Sequence, residues 1–161
     1  MRHSALPMRT EAVHTHYRCN QACTFCSARR PVDDPRFIAR AAVEARIDAA
    51  LAGGAEEVWL TGGEPTMRDD LAGLVKHARA RGAKGVGLET NATLLDAARV
   101  AQLVTAGLSV VRVHLSGWGE ALDAVTRDPG GFHSALRGLD FLMAAALPVE
   151  ISAAVTRSTA P

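Results

Sequence analysis

The sequence predicts an α/β protein whose parallel strands curve into a partial barrel, and three observations carry that expectation. Strand-like and helix-like segments alternate along the chain, five of the former and four of the latter, with short connections. Glycines stand where several of the helical patterns end. Two strands are polar on one side, whereas strands of a flat, doubly covered parallel sheet are often apolar throughout. A curved sheet accounts for the difference: apolar faces pack on outer helices, polar faces line a lumen, and active residues gather at the strands' C-terminal ends. A flat sheet with one wetter face is the competing arrangement.

Each element follows from local pattern. Ala12–Tyr17 is a short β-like run. Arg36–Leu51 reads as a helix, with Ile38, Ala42, Ala45 and Leu51 near one stripe and Gly53-Gly54 as the stop. Glu57–Leu60 is a strand that runs into Thr61-Gly62-Gly63-Glu64-Pro65. Residues 69–81 repeat apolar side chains at helical spacing (Leu71, Leu74, Val75, Ala78) until Gly82. Gly85–Thr90 is a strand, 94–106 a helix ended by Gly107, and 109–115 a strand. A fourth helix covers about 131–145, with Phe132, Leu136, Leu139 and Met143 as its stripe, and Pro148–Val155 is the fifth strand. The polar sides belong to the third and fourth strands. Val86 and Leu88 oppose Glu89 and Asn91, while Val111, Val113 and Leu115 oppose Arg112, His114 and Ser116.

Composition narrows the class. With 161 residues, 48% hydrophobic and 22% charged, the chain has the make-up of one globular domain or part of one, not of a disordered tail or coiled coil. The net charge of +1 comes from 18 basic and 17 acidic residues without a single-sign block, so no nucleic-acid partner and no anionic membrane surface is expected. No segment reads as a signal peptide or membrane span, which leaves the cytoplasm as the expected compartment.

The three cysteines are odd in number and crowd into one loop at Cys19, Cys23 and Cys26, the reverse of a disulfide framework. The C-x3-C-x2-C spacing just beyond a strand can hold three irons of a cubane cluster and leave the fourth without a protein ligand. An open coordination site is what a catalytic metal centre keeps. Zinc completed by His14 or His16, both expected on the lumen side, is the alternative from spacing alone. The Thr61–Pro65 turn adds paired glycines, which let a ligand approach the backbone, a carboxylate at Glu64 and a stiff exit at Pro65.

These segments resemble one family, the radical S-adenosylmethionine (radical SAM) enzymes. The resemblance rests on Cys19-Asn-Gln-Ala-Cys23-Thr-Phe25-Cys26 and on Thr61-Gly-Gly-Glu-Pro-Thr66. It continues through Glu89-Thr90-Asn91-Ala92-Thr93-Leu94-Leu95, Val113-His114-Leu115-Ser116-Gly117 and Gly130-Gly131-Phe132 to Val155-Thr156, about residues 12–157. It implies a partial (β/α)6-type barrel. On that pattern residues 12–161 would be a core domain incomplete after its fifth strand, with 1–11 a flexible leading segment. It further implies a [4Fe–4S] cluster on Cys19, Cys23 and Cys26 whose open iron chelates S-adenosylmethionine. Phe25 would lie near the adenine, and the turn formed by Gly62, Gly63, Glu64 and Pro65 would hold the methionine ammonium. Asn91, His114 and Ser116 would serve the ribose and carboxylate, with Arg127 a further candidate for the carboxylate. One electron, from a flavodoxin- or ferredoxin-like donor, would cleave the cofactor to methionine and a 5′-deoxyadenosyl radical that takes hydrogen from a peptide or small-molecule substrate.

The sequence departs from the family pattern in places. His114 stands where many relatives have Ser, Ala92 replaces a usual Gly, and Arg127 is displaced by one residue. Glu89 reads either as a lumen carboxylate that meets sugar or substrate, or as a partner of Arg112. Trp118 either covers the cavity or packs a loop, His77 and His133 read as surface histidines, and Arg29, Arg30, Asp33, Asp34 and Arg36 read as a solvated mixed-charge loop. Three competing functions remain open at this point: an activase of glycyl-radical enzymes, a zinc-binding module without catalysis, and an inactive truncated copy.

Overall fold

The computed structural model describes residues 8–26 and 38–156. The mixed-charge loop around Arg29–Arg36 and the first seven residues lie outside the described residues. Five parallel strands form one sheet in the order of the chain: β1 (Thr10–His14), β2 (Glu57–Thr61), β3 (Gly85–Thr90), β4 (Val110–His114) and β5 (Val149–Ser152). Among the described residues there are five α-helices, α1 (Arg40–Ala52), α2 (Leu71–Ala80), α3 (Ala97–Ala106), α4 (Glu120–Thr126) and α5 (Gly131–Ala144), and a single 3-10 turn at Pro65–Met67. The sequence pattern missed α4.

The strand order decides between the curved and the flat sheet. A right-handed crossover always leaves the helix on the same side of its strand pair. Strands laid down in unbroken succession therefore put every connecting helix on one face, as in a barrel wall, whereas a doubly wound sheet needs a reversal of order. Here α1 packs on α2, α2 on α3 and α3 on α5. The outer face of β2, β3 and β4 is apolar and covered, with Val58, Leu60, Val86, Leu88, Val111 and Val113 all inaccessible to solvent. The opposite face carries the polar alternation.

Two helices present different faces from those the periodicity suggested. In α1 the buried pair is Val43 and Ile47, four residues apart, while Ala42 and Ala45 are exposed. In α5 the inner face is Phe132, Ala135, Gly138 and Leu142, and Met143 is exposed. Helix α1 is rich in Ala, which contributes little amphipathic contrast; in α5 the small residues Ala135 and Gly138 face inward, so in both the stripe is set by packing.

On the lumen face, Gly85 and Gly87 of β3 make room for the side chains of β2. A Cβ on Gly87 would stand 2.4 Å from the Trp59 ring. Trp59 thereby lies flat across the sheet, its Nε1 donating to Glu57 at 2.8 Å, and the Arg112 guanidinium sits 4.1 Å above its ring. The lumen is floored by a stacked aromatic and cation, not left as a hollow.

Candidate active site

A cavity of about 640 Å³ opens at the C-terminal ends of the strands, a size suited to a small-molecule ligand. Cys19, Cys23, Phe25 and Cys26 border it on one side, Gly62, Gly63 and Glu64 on another. Glu89, Thr90, Asn91, Arg112, His114 and Ser152 close the rest. A second groove of about 670 Å³ runs between β1 and α1, where His14 stacks on Tyr17, and no cysteine lines it.

The cysteine loop leaves β1 and is carried by α4, the helix that the pattern missed. Ala22 N–H donates to the Thr126 carbonyl at 3.0 Å and Thr24 N–H to the Val125 carbonyl at 2.8 Å, so the loop satisfies the last carbonyls of the helix. Phe25 packs into a small apolar cluster made by Leu122, Val125 and Phe132, and its ring lies 5.0 Å from that of His114. The Gln21 N–H donates to Cys19 Sγ at 3.4 Å. Burial pushes the Cys19 thiol up to about 11 and raises that of Cys23. Among the described residues, no three His, Cys, Asp or Glu side chains are gathered tightly enough to hold a single metal ion.

The glycine turn is built against the chain itself. Gly63 N–H donates to the His16 carbonyl (2.9 Å) and Glu64 N–H to the Arg18 carbonyl (2.8 Å), so the β1–β2 pairing continues past the strand ends. A Cβ on Gly63 would meet the Arg18 carbonyl oxygen at 1.9 Å, and one on Gly62, whose φ is +151°, would meet that of His16 at 2.4 Å. The close approach that demands glycine is thus made by residues 16–18. Glu64 is 1% exposed and faces four donors: Thr66 N–H and hydroxyl, the Thr90 hydroxyl (2.7 Å) and Asn91 N–H (2.7 Å). Burial pushes its carboxyl up while those donors pull it back. Its charge is committed to joining the turn to the end of β3.

Residues 13–157 match the Radical SAM superfamily. This chain is a member of that family. It is 37% identical over 123 residues to the Fe-coproporphyrin III synthase of Methanosarcina barkeri, covering 76% of this chain and 31% of that protein. It is 32% identical over 142 residues to mycofactocin maturase MftC of Mycolicibacterium smegmatis, covering 88% and 36%. The crystal structure of Streptococcus suis SuiB bound to precursor peptide SuiA superposes with a TM-score of 0.73 at 19% identity, over 93% of this chain and 34% of that one. The chain spans about a third of the length of these curated relatives. The expected fold and the expected family both stand.

The structure of this radical SAM domain brings most of the expected site residues to one cavity. Phe25, Gly62, Gly63, Glu64, Asn91 and His114 line it with the cysteines. Pro65 is buried behind the turn, where it opens the 3-10 helix. Ser116 is 3% exposed and acts through His114: its Oγ lies 2.7 Å from Nε2, Ser152 Oγ lies 3.2 Å from Nδ1, and Ala154 N–H donates to Ser116. Burial lowers the His114 pKa, which keeps the ring neutral near pH 7. Arg127 is exposed as the left-handed C-cap of α4 and is not among the cavity-lining residues.

The two histidines considered as a fourth metal ligand part company. His14 shares the lumen face with Trp59 and Thr61 by register but stands exposed beside the groove between β1 and α1, whereas His16 is wholly buried behind the glycine turn; neither lines the cavity, which corrects the expectation for His16. Glu89 meets both of its readings. It lines the cavity while its Oε1 accepts from Arg112 (2.8 Å) and its Oε2 from Thr61 (2.8 Å). Arg112 bridges it to Glu150. Trp118 is 72% exposed, edge-on to Phe132, and packs its loop rather than the cavity. His77 is a half-buried bridge between α2 and Asp48 of α1. Asn20, Gln21, Thr93 and Asp128, which the sequence reading did not single out, form the loop's polar contacts.

Proposed function

We propose that this domain holds a [4Fe–4S] cluster on Cys19, Cys23 and Cys26 and S-adenosylmethionine in the adjoining cavity. The observation that carries the reading is the meeting of all three thiols with the glycine turn and the ends of β3 and β4 around one space. The donor set suits the groups. Three thiols, with the histidine of the cavity wall, His114, held between Ser116 and Ser152, match a cluster with one open iron. Because the N–H groups of Gly63 and Glu64 are turned to the chain, the turn offers a ligand carbonyl oxygens, which suit an ammonium.

When bound, the pair supplies reductive cleavage to methionine and a 5′-deoxyadenosyl radical, the route by which hydrogen is taken from a substrate. The chain's own residues do the positioning. Phe25 offers the adenine a ring face steadied by His114. His114, fixed between Ser116 and Ser152, presents a neutral imidazole toward the ribose and carboxylate, and Glu64 and Asn91 hold the rim on which those contacts depend. Arg127, exposed at the C-cap of α4, is the further candidate for the carboxylate. Residues 12–161 make up the domain, which works in the cytoplasm with a one-electron donor of flavodoxin or ferredoxin type. The described residues contain no helix long and apolar enough to cross a membrane. The substrate is a peptide or a small cofactor precursor, as the names of the relatives suggest.

Anaerobic reconstitution with iron and sulfide, then dithionite and S-adenosylmethionine, tests this. The expected result is a brown protein that forms 5′-deoxyadenosine, with colour and product both lost in Cys23→Ala. A colourless protein carrying zinc would overturn the reading; a brown one without product would limit the chain to cluster binding.

A further inference from the structure

The cysteine loop is fastened on both flanks by hydrogen bonds between side chains. On the β3 side, Asn20, Asn91 and Thr93 close a ring of hydrogen bonds. Asn91 Nδ2 donates to Asn20 Oδ1 at 2.9 Å, Asn20 Nδ2 to Thr93 Oγ1 at 2.8 Å, and Thr93 Oγ1 to Asn91 Oδ1 at 2.8 Å. The Thr93 N–H also donates to Asn91 Oδ1, at 3.0 Å. Each of the three groups donates to the next around the ring, so one amide orientation serves all three side chains. On the α4 side, Gln21 Nε2 donates to Asp128 Oδ2 at 2.9 Å.

We infer that Asn20, Asn91 and Thr93 form a clasp that sets the position of the cysteine loop before any cluster arrives, with Gln21 and Asp128 as its counterpart across the loop. Asn91 is the pivot, and its side-chain amide serves the loop, not the cofactor. It is only 9% exposed, and its own backbone is pinned by the buried Glu64 carboxyl. The rigidity of the core thereby passes from Glu64 through Asn91 to Asn20, the residue next to Cys19. A loop ordered in advance loses less freedom when the metal binds, and hydrogen bonds around a cluster help set its potential. These are positioning residues: they touch no reacting atom.

The inference rests on the cluster reading for one arm of its test only. In the metal-free chain, amide hydrogen exchange of residues 19–26 is expected to quicken about fivefold or more in Asn20→Ala and in Thr93→Val, which removes the hydroxyl at constant shape. Thr93→Ser restores the wild-type rate. Exchange of the β2 and β3 core amides stays unchanged, which shows that the variants fold. In reconstituted protein, the same two variants release iron to a ferrous chelator about fivefold faster or more and broaden the EPR signal of the reduced cluster. Wild-type exchange and iron release in both variants would overturn the clasp. So would unchanged loop exchange together with weakened S-adenosylmethionine binding, which would return Asn91 to the cofactor. If the wild-type chain takes up no cluster, the proposed function fails, while the exchange arm still decides the clasp.

Discussion

His16 shows how an ionisable residue near the cysteine loop can have a structural duty. It has no solvent exposure, and burial, with the nearby Arg68 charge, holds its pKa down at about 4 against an ordinary 6.5. The unfolded chain therefore binds more protons than the folded one between those values. Stability is fully present above about pH 6.5 and is lost as pH falls toward 4, with a limiting slope of about 1.4 kcal/mol per pH unit from this residue. We expect urea midpoints to drop between pH 7 and pH 5, and the His16 ring resonances to stay unshifted down to pH 5; a ring titrating near 6.5 would contradict this. The sequence showed His16 as half of an alternating pair with His14, and alternation alone cannot tell which histidine the turn will roof over. The same limit governs Gly62-Gly63. The need for glycine was legible, but the approaching group is the chain's own backbone at residues 16–18, brought there by β1–β2 register.

At the level of elements, α4 and α5 explain where pattern reading stopped. The helix α4 is seven residues long and framed by Gly117, Gly119 and Pro129, so its only periodic signal is Leu122 with Val125. It is nevertheless what the cysteine loop stands on, because its last carbonyls receive Ala22 and Thr24. Asp123 links the two helices by accepting from Gly130 N–H and Phe132 N–H at the start of α5. The helix α5 then closely approaches the segment that follows β3 at Gly138, where an added Cβ would meet the Ala92 carbonyl oxygen at 2.1 Å. Ala92 itself has φ of 61°, a left-handed conformation that makes clear why glycine is usual there. Gly138→Ala should push the helix off the sheet and cost about 1–3 kcal/mol, read as a lowered midpoint in urea. Strong stripes such as Leu71, Leu74, Val75 and Ala78 of α2 were placed correctly, since four large or tightly spaced apolar residues leave only one inward face.

Over the whole molecule, the sheet order and the cavity at its C-terminal rim follow from the β/α alternation that the sequence displayed. Contacts between distant side chains, such as Gln21 with Asp128, left no local trace. Among the described residues the sheet ends at β5, where Ile151 is 56% exposed, and Val155 just beyond the strand is 81% exposed. An edge strand with an uncovered apolar face favours pairing between molecules. The 161-residue chain should therefore associate as concentration rises, and Ile151→Lys should shift its sedimentation toward the monomer. The order of the sheet also has a meaning in time. The cysteines are synthesised before their anchors, since Asn91 lies 71 residues beyond Asn20 and Asp128 lies 107 residues beyond Gln21. At about 5–20 residues per second, a ribosome would hold the three thiols without their anchors for roughly 5–20 s. During that interval they are bare to oxidants and to stray metal, so the growing chain, more than the finished fold, is where this site is most easily spoiled.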